Sequence, residues 1–215
     1  MKAKYFGMAL GLGVLVLGLP ATAGAQSLVG VKGGLLVSDV SASDDQAIEG
    51  IESRTGAGFG AFFRTMIAPA VSVQPEVLYL TKGFESSDEE ITGEFTLNYI
   101  QVPILVQYHL TRGDGVSPRL FAGPAIAFES KCEISGSDGS TSVAFDCSEA
   151  DIETKSTDFS AVFGAGVDIP LSGFVITGDA RYDLGLSNID DSGADGSVKN
   201  RSWGFFLGGA IPVGS

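Results

Sequence analysis

NYIQVPILVQYHL, residues 98–110, places Ile100, Val102, Ile104, Val106, Tyr108 and Leu110 at every second position. Gln101, Gln107 and His109 fall between them. Successive side chains of an extended chain point to opposite sides, so a period of two held this long makes a β-strand with one apolar face. An α-helix would scatter the same residues around its circumference. The stretch is about twice the ~5–6 residues common for globular strands. It is long enough for the ~9–11 residues that a tilted strand needs to cross a bilayer.

The same period recurs on both sides of this segment. Residues 27–38 set Val29, Val31, Leu35 and Val37 against Gly30, Lys32 and Gly34. Residues 55–66 set Ala57, Phe59, Ala61 and Phe63 against Gly56, Gly58, Gly60 and Arg64. Further runs follow at 71–82, 95–110 (which contains the quoted stretch), 119–128, 159–170, 174–187 and 202–213. That makes eight strands. The connections alternate in length: 39–54, 83–94, 129–158 and 188–201 are long, whereas 67–70, 111–118 and 171–173 are short. An even number of long alternating strands, with short turns at one end and long loops at the other, predicts an all-β fold. It is an eight-stranded antiparallel up-and-down transmembrane β-barrel. Closure is obligatory in lipid, because an open edge leaves unpaired backbone groups at several kcal/mol each.

The N-terminus is a separate element. Lys2 and Lys4 precede an apolar run over residues 5–19, and Ala23 and Ala25 fit a small-x-small cleavage rule. The reading is a cleaved secretory signal peptide over residues 1–25, followed by a barrel domain over residues 26–215. The chain has 215 residues, a net charge of −13 and 30 glycines. A hydrophobic content of 44% with 14 Phe argues against disorder. The acidity argues against nucleic-acid binding. After residue 20 no apolar run approaches the ~20 residues of a spanning helix.

Parity assigns the two faces. Val, Ile, Leu, Phe and Tyr meet lipid, and the small or polar face lines a lumen just wide enough to be filled by side chains. Glycines on that face leave room for larger neighbours. Lys32, Arg64, Lys82, Arg119 and Arg181 lie in strands, as do Glu76, Asp168, Asp179 and Asp183. Most fall on the inward face, where opposite charges would pair and hydrogen-bond. The expectation is a lumen charge network acting as a structural plug.

Several segments also resemble a known family. QPEVLYLTKG (74–83), NYIQVPILVQYHL (98–110), RLFAGPAIAF (119–128), FSAVFGAGVDI (159–169) and DARYDLGLSNI (179–189) are similar, in order and spacing, to segments of the small outer-membrane barrels called porin-family or PorT-like. That resemblance implies a barrel in the outer membrane of a Gram-negative bacterium, reached through the periplasm, with no assigned chemistry.

The four long connections hold 21 of the 26 acidic residues and 5 bases. Glu85–Glu90 and Asp190–Gly196 are the densest clusters. These are solvated acidic loops facing outward, and divalent cations bridging them to lipopolysaccharide are a further partner class. Cys132 and Cys147 fall in the 129–158 connection, and an oxidising periplasm makes a disulfide stapling a surface loop the expected state. His109 is read as a rim residue at the short-turn end. No nucleophile–base–acid set, zinc cluster or phosphate loop is legible, so neither an enzyme nor a cofactor is expected. The leading functional reading is a structural or surface-interaction protein, a monomer whose partners are outer-membrane lipid and lipopolysaccharide. Two alternatives stay open: a narrow porin-like channel, and a soluble lipocalin-like barrel with the apolar face turned inward.

Overall fold

The computed structural model describes residues 27–42, 51–87, 92–111, 115–137, 142–147, 157–187 and 198–214. The signal segment, the acidic cluster at 190–196 and residues 88–90 of the other cluster lie outside them. Nine strands are present among the described residues: β1 (Ser27–Ala42), β2 (Ile51–Ala68), β3 (Val71–Ser87), β4 (Thr92–His109), β5 (Ser117–Ser137), β6 (Ser142–Asp146), β7 (Thr157–Leu171), β8 (Phe174–Gly185) and β9 (Val198–Val213). All their pairings are antiparallel. Eight strands close into a barrel in the order β1-β2-β3-β4-β5-β7-β8-β9, with β9 returning to β1. The short β6 pairs with β5 beyond the point where β7 begins.

The stagger of the barrel can be followed through the register. From Ser27 the paired positions run Thr65, Val73, Val106, Ala122, Phe163, Tyr182 and Trp203, and return to β1 at Val37. The path arrives ten residues from where it started, 37 against 27. A stagger larger than the strand number requires strands inclined by roughly 35–45° to the axis, as in outer-membrane barrels.

The outside is apolar. Leu207, Val31, Phe59 and Leu35 are 73%, 66%, 63% and 60% exposed, and the other alternating positions behave alike. A soluble barrel of this size could not leave so continuous an apolar surface in water. Tyr79, Tyr182 and Trp203 stand on this face, with the Tyr182 and Trp203 rings 5.0 Å apart, and Tyr108 stands nearer the short turns. Amphipathic rings at two levels are the girdle pattern of a membrane-spanning barrel. The soluble alternative is therefore set aside.

Two features differ from the sequence reading. The strands run on past their alternating segments: β3 and β4 continue into residues 83–94, and β5 and β6 occupy much of 129–158. Those extensions are mostly polar at positions of either parity and carry no period. The inward face is also not uniformly small or polar. Leu36, Phe62, Leu78, Leu80, Leu97, Tyr99, Leu105, Phe121, Val162 and Phe206 are buried. They pack around the charges and keep water from them.

Candidate functional site in the barrel lumen

Each inward charge is placed by strand parity. On β8, Thr177, Asp179, Arg181 and Asp183 occupy alternate positions and all face the axis, each less than a tenth exposed. On β3, Ser72, Gln74, Glu76 and Lys82 do the same. Lys32 comes from β1, Arg64 from β2, Arg119 from β5 and Asp168 from β7. Seven of these groups form an alternating chain across the lumen. Arg64 Nη1 donates to Asp168 Oδ2 at 2.5 Å, and Arg119 Nη1 donates to Asp168 Oδ1 at 2.9 Å. Arg119 Nη2 donates to Asp179 Oδ1. Lys32 Nζ then bridges Asp179 Oδ2 at 2.9 Å and Glu76 Oε1 at 2.6 Å. Arg181 Nη1 closes the chain on Glu76 Oε2 at 2.9 Å.

Neutral side chains satisfy much of what remains. Gln74 accepts from Arg64 Nε at 2.6 Å and donates to Glu76 at 2.6 Å. Gln107 accepts from Arg119 Nε at 3.1 Å, and Thr177 accepts from Arg119 Nη2 at 2.8 Å. The Arg181 guanidinium lies 4.0 Å from the centroid of the Phe206 ring, and Lys32 Nζ lies 5.2 Å from that of Phe62. Desolvated cations gain from such ring faces. Nearer the loops a second group joins Lys82 Nζ to Asp183 Oδ2 at 3.1 Å and Gln101 Nε2 to the same oxygen at 2.5 Å. Lys32, Arg64, Glu76, Lys82, Arg119, Asp168, Asp179, Arg181 and Asp183 are all buried within the barrel. Seven belong to the chain and two to the outer pair.

Space for these groups depends on glycine. A Cβ on Gly166 would stand 2.5 Å from Asp179 Oδ1 and 2.7 Å from Arg119 Cζ. A larger residue there would occupy the place where the Arg119–Asp179 pair forms.

The glutamines and threonine of this network have no sequence signal beyond inward parity. The same holds for Ser72, whose Oγ lies 2.9 Å from His109 Nε2 at the short-turn rim. Ser72 is fully buried, and Asp168 is held by two arginines. His109 itself is only half-buried at this rim. Among the described residues no group of His, Cys, Asp and Glu is arranged to hold a metal.

Cys132 and Cys147 form a disulfide with Cα atoms 5.5 Å apart. Cys132 lies within β5 and Cys147 directly follows β6, so the bond is not confined to a surface loop. Both are buried with Leu97, Tyr99 and Ala127, inward residues of β4 and β5. The bond therefore pins the chain leaving β6 to the inside of the wall. Replacing both cysteines by serine is expected to lower unfolding free energy by up to about 3 kcal/mol, the entropy of a 15-residue loop. Urea titration of the refolded protein with and without the bond measures it, and equal midpoints would count against this contribution.

The sequence matches the outer membrane protein beta-barrel domain family over residues 24–191. No curated protein matches it. Among solved structures it is similar to the outer membrane protein OprG of Pseudomonas aeruginosa, with 15% identity and a TM-score of 0.52 over 88% of this chain and 97% of that one. Neisserial surface protein A is similar at 15% identity and a TM-score of 0.50, over 88% of this chain and 99% of that one. A major outer membrane protein of Thermus thermophilus is similar at 11% identity and a TM-score of 0.50, over 88% of this chain and 100% of that one. At these identities the likeness is one of fold.

Proposed function

The chain belongs to the outer membrane protein beta-barrel domain family, and from that premise we propose that it acts as a closed barrel with a structural or surface-interaction role, presenting acidic loops at the outer face of the Gram-negative outer membrane. The observation that carries this reading is the occupied lumen: Arg64, Asp168, Arg119, Asp179, Lys32, Glu76 and Arg181 are linked in series and packed among buried Phe, Leu and Tyr. Aqueous channels belong to far wider barrels of roughly 16–18 strands. In this reading residues 1–25 direct export, and residues 26–215 are the working unit. Outer-membrane lipid surrounds the wall of a monomer. Lipopolysaccharide, bridged by divalent cations, meets the acidic loops, which carry most of the chain's carboxylates.

Planar-bilayer recording tests the closed lumen. Purified full-length protein is expected to give no steady conductance steps. Its insertion is checked by the heat-dependent gel mobility of the same sample. Reproducible steady openings from an inserted sample would replace this reading with a narrow channel.

A further inference from the structure

A closed barrel has no edge strand, so every N–H in the wall points toward one neighbour or the other. A proline within the wall therefore removes a ladder bond. Six prolines lie in the described strands. Pro118, Pro170 and Pro212 each stand next to the terminal residue of their strand at the short-turn end. Pro75, Pro103 and Pro124 are different, because they lie well inside β3, β4 and β5, three consecutive strands.

The register lapses on the three adjoining seams. Between β2 and β3 pairing is interrupted from Phe62↔Glu76 to Thr65↔Val73, and again, at a register shift without a proline nearer the loops, from Ser53↔Phe84 to Gly58↔Leu80. Between β3 and β4 it is interrupted from Pro75↔Ile104 to Leu78↔Gln101. Between β4 and β5 the gap runs from Pro103↔Ala125 to Val106↔Ala122. The remaining seams of the barrel, β5–β7, β7–β8, β8–β9, β9–β1 and β1–β2, are continuous along their paired lengths.

The lumen offers little compensation behind the β4–β5 gap. Leu105, Phe121, Ala125 and Val162 form an apolar cluster there. The polar side-chain contacts of β4 lie on either side of it, at Gln107–Arg119 (3.1 Å) toward the short turns and Gln101–Asp183 (2.5 Å) toward the loops. At this level the seam lacks both a full backbone ladder and a side-chain tie.

We propose that the β3–β5 sector is a yielding panel in an otherwise continuous wall, whose central pairs separate locally while the rest of the barrel stays closed. Local opening follows the places where backbone bonds are fewest. Hydrogen exchange on the full chain in nanodiscs tests it. The amides of Glu76 and Leu105, which face the β3–β4 seam, and of Val102, Ile104, Ala122 and Ile126, which face the β4–β5 seam, are expected to exchange about fivefold faster than those of Asp179, Arg181 and Phe206 at the centre of the β8–β9 ladder, the factor that one lost hydrogen bond corresponds to. Pro103→Val and Pro124→Val, made singly, are each expected to slow exchange on their own seam toward the β8–β9 rate. Equal exchange in the two sectors of the unaltered protein would overturn the proposal. So would faster exchange in β3–β5 that neither substitution slows.

Discussion

Replacing Arg119 by methionine is expected to lower the unfolding free energy of the barrel by about 3–5 kcal/mol. Arg119 is among the largest fully buried side chains, and its guanidinium donates to Gln107, Asp168, Thr177 and Asp179. Methionine nearly preserves the volume, so the loss is electrostatic. Two carboxylates lose a cation they share and stay shut away from water, each left with a single partner, Arg64 on Asp168 and Lys32 on Asp179. Breaking one member of a buried ionic set is costly because the partners left behind cannot be rehydrated. Urea-dependent folding into lipid vesicles, read by gel mobility, measures the change. Arg119→Lys should recover part of the loss, since it restores the charge but not the forked geometry that reaches two aspartates. A methionine variant as stable as the parent would mean that the chain of ion pairs contributes nothing.

Leu207→Arg should be destabilising by about 2–4 kcal/mol, for the opposite reason. Leu207 is the most exposed large apolar residue on the outer wall at 73%, and it projects from the middle of β9. In water such a position would tolerate arginine within roughly ±0.5 kcal/mol. In hydrocarbon the guanidinium has no partner and must distort lipid or snorkel to an interface. The same titration distinguishes the two environments, and a neutral effect would be incompatible with a lipid-facing β9. Because the substitution touches nothing in the lumen, its cost should add to that of Arg119→Met.

Much of this architecture is written in period two. Wherever the sequence alternates cleanly, as at Ile100–Leu110 or Trp203–Leu207, parity separates lipid from lumen and places Lys32, Arg64, Arg119 and Arg181 inside. Parity becomes unreadable where both faces have the same character. Leu78-Tyr79-Leu80 is apolar throughout, so nothing in it tells that the two leucines turn inward while the tyrosine meets lipid. The strand extensions at 83–87 and 129–137 fail for the converse reason: past the apolar band most residues are polar whatever their parity, and alternation has no cause. The pairing partners are also hidden. Asp179 and Arg119 are separated by 60 positions, and their meeting depends on the stagger of the whole barrel, which no local stretch encodes. The three mid-wall prolines are visible in the sequence, but their alignment on adjoining seams is a property of register.

The burial of Cys132 and Cys147 also orders the biogenesis of this protein. At 5% and 3% exposure inside the loop-end mouth, their sulfur atoms are beyond the reach of an oxidising enzyme once the wall has closed. The bond is then expected to form earlier, on the exported and still unfolded chain. Passage through the periplasm becomes a chemical step as well as a transit, and a cell short of periplasmic oxidant would insert barrels whose mouths had never been fastened.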